Sequence, residues 1–237
     1  MKKWKQIPVW AITLLLTFLI IFPSFASDNT NPESYSELAA EISPCVVTIL
    51  VYEYNGKFKG QGSGFFYNKN GDIVTNSHVI TKNTRAEIKT KSGNIYPVGS
   101  IIERNEKKDF LKAQTHLPKD SPFLKIARKY PAVGDKIMVA GSPLGFEQTI
   151  TEGIVSAWRT HPEIGKVIQI SAPISHGSSG GPVLNMAGEV VGIATLTFHN
   201  GQNLNFAVPV QAIFNNQKPK AKKLEFHKDK KGGIVIE

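Results

Sequence analysis

The chain has 237 residues, a formal net charge of +9 and a single cysteine. One cysteine cannot form an internal disulfide, so the composition excludes a small disulfide-stabilised scaffold and leaves a hydrophobic core as the source of stability. Three lysines precede residue 7, and the last 21 residues carry a net charge of +4, from seven lysines and three acidic side chains. No nucleic-acid-reading motif is present, so a nucleic-acid-binding function is excluded as well.

The amino terminus has the pattern of an export signal. Lysines at positions 2, 3 and 5 precede an apolar run over residues 7–22, and Ser24-Phe25-Ala26 has small residues at both positions that signal peptidase reads. The pattern predicts cleavage after Ala26 and a periplasmic or extracellular mature chain. The alternative is a membrane anchor formed by residues 7–22, although this run is slightly shorter than the roughly 17 to 25 residues that a spanning helix needs.

A short helix is predicted next, because Ser34 and Glu37 have the spacing of a capping box and Pro44 ends the element. Short strand-like runs follow, separated by turn signals such as Asn70-Gly71-Asp72. In the first half the predicted strands are 45–54, 64–67, 73–75, 85–90, 95–102 and 110–113. In the second half they are 136–140, 148–158, 167–171, 183–184, 189–197 and 205–208, and a closing helix is predicted over 209–214.

The absence of a long amphipathic pattern between residues 45 and 209 favours an all-β fold, either a pair of barrels or a sandwich. Prolines and Gly134 interrupt the strand pattern between residues 117 and 134. This seam divides a domain over 27–216 into halves of about 36–117 and about 134–214. Residues 217–237 are polar and basic and predict a flexible tail, either simply solvated or in weak contact with anionic surfaces.

Two segments indicate nucleophilic catalysis. Gly177-Ser178-Ser179-Gly180-Gly181-Pro182 places a serine on a glycine-rich turn, and His78 closes a hydrophobic strand well upstream. A tight turn can present a serine hydroxyl, and a neutral imidazole can take the proton of that hydroxyl. The two segments together predict a hydrolase.

Six segments occur in the order and with similar spacing to those of one known family. They are Gly62-Ser63-Gly64-Phe65-Phe66, Asp72-Ile73-Val74-Thr75-Asn76-Ser77-His78-Val79, Gly141-Ser142-Pro143-Leu144-Gly145, Gly153-Ile154-Val155-Ser156, Gly177-Ser178-Ser179-Gly180-Gly181-Pro182 and Gly188-Glu189-Val190-Val191-Gly192-Ile193. On these segments the chain resembles a trypsin-like serine endopeptidase of the Deg/HtrA group over about residues 36–214. The resemblance implies two six-stranded antiparallel β-barrels with the active site between them.

The resemblance also implies the catalytic roles. His78 is the general base, Ser179 is the nucleophile and Asp109 is the acid that orients the base. The backbone N–H groups of Gly177 and Ser179 form the oxyanion hole, which stabilises the charge that develops on the substrate carbonyl. These roles match the chemistry of each group, because a serine is a weak nucleophile until an imidazole takes its proton.

The role of the acid that orients His78 could also be taken by residues other than Asp109. The family usually has an aspartate followed by alternating apolar residues, and here Lys112 stands where an apolar residue is common. Glu103, Glu106 and Asp120 are the neighbouring carboxylates that could take the same role. A surface carboxylate in a charged cluster is the alternative interpretation of Asp109.

Substrate choice is predicted from the residues just before the nucleophile and on the strand after it, which line the primary specificity pocket in this fold. These residues are Ala172, Pro173, Ile174, Ile193, Ala194 and Thr195. None is charged, so a basic substrate side chain would be buried without a partner, and a small or medium aliphatic residue is expected instead. No paired histidine spacing indicates a metal site, and no cofactor is expected.

The resemblance covers the protease domain alone. The family typically continues into one or two PDZ domains, and 23 residues follow Phe214 here, so regulation by such domains is not carried over. The homo-trimer common in the family also stays open. Two functions remain: an exported serine endopeptidase acting on unfolded or damaged polypeptides, and a protease-like fold that serves as a binding or chaperone module with an unassembled active site.

Overall fold

The computed structural model describes residues 34–117, 121–142, 148–197, 204–214, 226–228 and 234–236. The predicted export signal over residues 1–26 and most of the tail over 217–237 lie outside the described residues. None of the helices in the described ranges reaches the length and hydrophobicity of a membrane-spanning segment.

The first element is the predicted short helix, α1 (Tyr35–Ile42), followed by a single 3₁₀ turn over Ser43–Cys45. The Ser34 side chain accepts the N–H of Glu37 at 3.3 Å, which confirms the helix start that the capping pattern predicts. Leu38 and Ile42 lie one turn apart and are fully buried. The helix is therefore anchored by its apolar face.

Six antiparallel strands close into a first barrel. Going round the barrel they follow the order β1-β2-β3-β6-β5-β4, and β4 pairs back with β1. Val47 and Ile49 of β1, two residues apart, both point into the apolar interior, as the two-residue period of a strand requires. The strands are β1 (Val46–Glu53), β2 (Phe58–Phe66), β3 (Ile73–Thr75), β4 (Thr84–Lys89), β5 (Ile95–Asn105) and β6 (Phe110–Thr115).

A second barrel follows the seam. Its order is β11-β8-β9-β10-β13-β12, and the pairing of β12 with β11 closes it. A two-residue strand, β7 (Lys125–Ile126), lies parallel to β12, and α2 (Gln211–Phe214) ends the domain. Two closed barrels confirm the all-β prediction and decide against a sandwich. The strands are β8 (Lys136–Gly141), β9 (Thr149–His161), β10 (Gly165–Ile170), β11 (Pro182–Asn185), β12 (Glu189–Thr197) and β13 (Asn205–Pro209).

The structure differs from the sequence prediction where pairing, not side-chain pattern, creates a strand. β2 begins at Phe58, although the predicted strand starts at 64, because the polar and glycine-rich residues 58–62 pair with β1. β7 has only two residues and counts as a strand only because it forms backbone hydrogen bonds with β12. In the tail, β14 (Phe226–Lys228) pairs with β15 (Ile234–Ile236), where the lysine-rich sequence predicts no strand. The flexibility of the rest of the tail stays a prediction.

Two lysines, one on β6 and one in the turn before it, hold the short helix α2. Lys112 of β6 is buried, forms an ion pair with Glu103 at 2.8 Å and donates to the carbonyl oxygen of Ile213 at 3.0 Å. Lys108 donates to the carbonyl oxygen of Ala212 at 3.1 Å. Cations satisfy the free carbonyl groups at the end of a helix well. At a position where the family commonly has an apolar residue, Lys112 thus makes polar contacts that link barrel one to the C-terminal helix of the domain.

Cys45 is buried in the apolar cluster that surrounds α1. Burial, with a smaller contribution from Glu41, raises the pKa of its thiol to about 11. Only the thiolate is an effective nucleophile, so we expect iodoacetamide to label Cys45 very slowly in the folded protein at pH 8 and rapidly in guanidinium chloride. Mass spectrometry of the alkylated chain checks this, and equal labelling in both states would contradict the burial of the thiol.

Candidate active site

The pairing of β3 with β6 brings two of the predicted catalytic residues together. His78 lies three residues after the end of β3, Asp109 directly precedes β6, and Thr75 pairs with Leu111 across the two strands. The two side chains therefore emerge at the same end of barrel one. Ser179 lies on the glycine-rich loop that leads into β11 of barrel two.

His78 and Asp109 form a short charge-assisted pair. The Nδ1 atom of His78 lies 2.9 Å from both carboxylate oxygens of Asp109, and the backbone N–H of His78 donates to Oδ1 at 3.2 Å. The His78 side chain is 49% exposed and that of Asp109 is 11% exposed. A carboxylate at Nδ1 keeps the proton on that nitrogen and leaves Nε2 without a proton and able to accept one.

Two hydroxyl groups also donate to the Asp109 carboxylate. Ser77 Oγ donates to Oδ1 at 3.0 Å and Thr195 Oγ1 to Oδ2 at 2.5 Å. Burial alone would raise the pKa of Asp109, but the hydrogen bonds and charge of His78 and the hydrogen bond of Thr195 outweigh it and hold this pKa below its ordinary value. Asp109 is therefore charged in the folded protein near neutral pH.

The backbone of Asp109 is held in an uncommon conformation. Its φ is +50°, in the left-handed region that residues other than glycine seldom adopt. The amide nitrogen of Asn76 donates to the Asp109 carbonyl oxygen at 2.8 Å, and Asn76 is fully buried. Asn76, two residues before His78, thus fixes the peptide that carries the Asp109 side chain.

The lowered pKa of Asp109 predicts a pH-dependent contribution to stability. In the unfolded chain an aspartate has a pKa of about 3.9. As the pH falls, the unfolded chain therefore binds a proton at Asp109 before the folded protein does. We expect Asp109→Asn to destabilise the protein at pH 7 and the gap to wild type to shrink as the pH falls below about 4. Urea unfolding of both proteins at several pH values checks this, and a constant gap would contradict it.

Ser179 does not hydrogen-bond to His78 in this structure. Its hydroxyl donates instead to the carbonyl oxygen of Thr195 at 3.3 Å. Thr195 therefore contacts two members of the set, since its hydroxyl binds Asp109 and its carbonyl binds Ser179. The Ser179 hydroxyl has to exchange this hydrogen bond for one to His78 before its proton can pass to the imidazole.

The loop around the nucleophile is fixed from barrel one. Ser63 Oγ donates to the carbonyl oxygen of Gly177 at 2.6 Å and accepts the N–H of Ser142 at 2.9 Å. Gly180 has a φ of +89°, and a side chain there would collide with the carbonyl oxygen of Ser63. Within the described part of the chain, the N–H groups of Gly177 and Ser179 donate to no protein acceptor. Both are available to a ligand.

The six residues predicted for the specificity pocket fall into two groups. Three are fully buried: Ala172 and Ala194 in the core of barrel two, and Ile193 in the cluster that also holds α1. The other three border cavities. Thr195 lines the large cleft beside His78, and Pro173 and Ile174 line a cavity of about 100 Å³ that also contacts the nucleophile loop. Their role in substrate selection stays a prediction.

Several residues that shape the site do not stand out by residue type in the sequence. Asn76, Ser77 and Ser63 act through hydrogen bonds to the catalytic set or its loop. All three fall inside the Gly62-to-Phe66 and Asp72-to-Val79 segments, so the motifs contain the signal but not the individual roles. Across the described residues no cluster of three or more histidine, cysteine or carboxylate side chains could hold a metal ion.

Known proteins resemble this chain in both sequence and structure. A family profile described as a trypsin-like peptidase domain matches residues 62–193. Serine protease HTRA1A of Danio rerio is 34% identical over 78% of this chain and 42% of its own length. Serine endoprotease DegS of Escherichia coli K12 is 30% identical over 80% of this chain and 58% of its own length. The chain thus spans about half the length of these relatives.

A solved structure shows the same similarity. The crystal structure of the serine endoprotease from Yersinia pestis superposes with a TM-score of 0.66 at 29% sequence identity. The match covers 77% of this chain and 64% of that protein. The superposition agrees with the two closed barrels described above.

Proposed function

The chain belongs to the trypsin-like peptidases, in their Deg/HtrA group, and we propose that it is a serine endopeptidase that cleaves unfolded or damaged polypeptides outside the cytoplasm. The observation that carries the proposal is the 2.9 Å contact between His78 Nδ1 and Asp109. The contacts of Thr195 with Asp109 and Ser179 support it further. These contacts support the proposal that Ser179, His78 and Asp109 act together at the end of barrel one.

The reaction begins with proton transfer from Ser179 to His78. The hydroxyl oxygen attacks the substrate carbonyl carbon while Nε2 of His78 takes the hydroxyl proton. The imidazolium that forms lies against the Asp109 carboxylate, which stabilises the positive charge. The tetrahedral intermediate carries its negative charge on the former carbonyl oxygen, and the N–H groups of Gly177 and Ser179 are the proposed donors to it.

The second half of the reaction returns the proton. His78 gives it to the leaving amine, the carbon–nitrogen bond breaks, and an ester to Ser179 remains. Water then attacks the ester, with His78 again acting as base, and releases the carboxylic acid and the free hydroxyl. No cofactor is needed, because every proton that leaves one group is taken by another.

The substrate proposal rests on the pocket residues and on the fold. The predicted lining of the primary pocket is uncharged, so an aliphatic residue before the scissile bond fits better than a charged one. An extended polypeptide can add a strand to a sheet edge, which favours unfolded chains. The export pattern of residues 1–26 supports action outside the cytoplasm, and amino-terminal sequencing of the mature protein tests whether cleavage follows Ala26.

One observation favours a second function. The Ser179 hydroxyl binds Thr195 and not His78, as expected of a binding or chaperone module whose active site is not assembled. A fluorophosphonate probe separates the two functions, because only an activated serine reacts with it at a useful rate. The peptidase proposal expects rapid labelling of the wild-type protein and none of Ser179→Ala. An unlabelled wild-type protein that still suppresses aggregation of an unfolded client would favour the second function.

A further inference from the structure

A cleft of about 780 Å³ opens beside His78 and Thr195. Four cationic side chains line it, contributed by β2, the loop after His78, β5 and the β5–β6 turn. Glu106 and Glu163 are the exposed carboxylates of the same lining, and Asp109 lies buried behind His78. The cations are Lys59, Lys82, Arg104 and Lys107. The cleft that adjoins the catalytic base is therefore positively charged.

Three of these cations have no carboxylate partner. Lys82 pairs with Glu106 at 3.2 Å, but within the described residues no carboxylate pairs with Lys59, Arg104 or Lys107. We call these three residues the basic rim. Glu163, across the cleft, is the one exposed carboxylate of the lining that is not paired with a lysine or arginine in that same part of the chain. The rim thus presents an excess of unneutralised positive charge to whatever occupies the cleft.

Two members of the basic rim are held in place. The Arg104 guanidinium, which is half-buried, donates to the carbonyl oxygen of Ser77 at 3.4 Å, one residue from the base. Lys59 Nζ donates to Thr81 Oγ1 at 3.1 Å. A guanidinium has further N–H donors in a planar fork that matches a carboxylate. Arg104 can therefore keep its backbone contact and still bind an acidic ligand beside the catalytic centre.

We propose that the basic rim selects polypeptides with an aspartate or glutamate side chain close to the scissile bond. The inference rests on the proposed function only in taking this cleft as the place where the polypeptide lies. The acidic side chain lies along the cleft, while the uncharged primary pocket takes an aliphatic residue. The preferred substrate then has an aliphatic residue in the primary pocket and an acidic residue close to it, rather than aliphatic residues alone.

The expected preference is moderate and salt-dependent. An exposed ion pair changes affinity by about 1.5- to 5-fold, so two or three cations together give about three- to tenfold at low ionic strength. Screening shortens the range of exposed charges to about 3 Å at molar salt, so the preference weakens steeply as salt is added. Glu163 opposes the rim, and removing its charge strengthens the preference.

The test measures binding, so it does not depend on turnover. Fluorescence anisotropy follows the full-length Ser179→Ala protein with labelled peptides that have one central aliphatic residue and either glutamate or glutamine at each flanking position in turn. At one or more positions we expect the glutamate peptide to bind about three- to tenfold more tightly at low salt. We expect Lys107→Gln and Arg104→Gln, each added to Ser179→Ala, to reduce the difference, and Glu163→Gln to enlarge it.

Lys69→Gln is the matched control, because this exposed lysine lies in a turn away from the cleft, and it should leave the preference unchanged. Lys107 is exposed and its replacement does not disturb packing, so this variant decides the result if Arg104→Gln does not fold. Failure of every glutamate peptide to bind more tightly than its glutamine twin overturns the proposal, as does a preference that Lys107→Gln and high salt leave intact. A preference in a wild-type protein that fluorophosphonate does not label overturns the peptidase function alone.

Discussion

Replacing Ser179 by alanine is expected to lower kcat for the hydrolysis of an unfolded protein by about 10⁴- to 10⁶-fold. The variant lacks the oxygen that attacks the substrate carbonyl, so only binding and any oxyanion stabilisation remain. The fold should survive, because the Ser179 hydroxyl makes a single 3.3 Å hydrogen bond to the carbonyl oxygen of Thr195. Cleavage of a denatured protein, followed by gel electrophoresis and mass spectrometry, measures the loss.

Ser100→Ala is the control for this variant. Ser100 is exposed on β5 and lies outside the catalytic and binding residues, so its loss should leave kcat unchanged. Thermal unfolding of both variants confirms that they fold. A Ser179→Ala protein that retained substantial cleavage would show that another residue is the nucleophile.

Replacing Asp109 by asparagine is expected to lower kcat by about 10⁴-fold. An amide has the size of the carboxylate but no charge, so it neither holds the proton on Nδ1 of His78 nor stabilises the imidazolium. Ser77 and Thr195 would also lose the charged acceptor of their hydroxyl groups. The same cleavage assay measures the loss.

The rival carboxylate Glu103 supplies the control for Asp109. Its side chain binds Lys112 at 2.8 Å and contacts neither His78 nor Ser179, so Glu103→Gln should keep its kcat close to that of wild type. The two variants differ from wild type by the same loss of one negative charge, which excludes a general charge effect. A larger loss of kcat in Glu103→Gln than in Asp109→Asn would show that Asp109 is not the residue that orients His78.

Most strands of the fold can be predicted from local sequence patterns. Alternating apolar residues such as Val47 and Ile49 mark strands whose one face is buried, and turn signals separate them. Strands without such a pattern were missed for a physical reason. The start of β2 and the two residues of β7 gain their hydrogen bonds from a partner strand, and a partner distant in sequence leaves no local trace.

The candidate catalytic residues can be predicted from residue type and from the family resemblance, whereas their hydrogen-bond partners cannot. A serine among glycines and a histidine at a strand end have a recognisable chemistry, so His78 and Ser179 could be named. The structure places Asp109, and neither Glu103 nor Glu106, against the imidazole. By contrast, Thr195 was predicted as a pocket wall, and its hydroxyl contact with Asp109 depends on the approach of β12 to barrel one.

The basic rim illustrates the same limit at the surface. Lys59 is more than 40 residues away from Arg104 and Lys107 in the chain, and these charges do not stand out in a sequence with 28 lysine and arginine residues. Only folding places them around one cleft. A cluster of surface charges that forms only when the chain folds cannot be predicted from the amino-acid composition.

The first and last parts of the domain share one apolar cluster, in which Leu38 and Ile42 of α1 pack with Val208, Val210 and Ile213. Translation completes β13 (Asn205–Pro209) and α2 after all three candidate catalytic residues have been made. We therefore expect a nascent chain to stay incompletely packed until residue 214 has emerged, and prematurely terminated products to lack proteolytic competence.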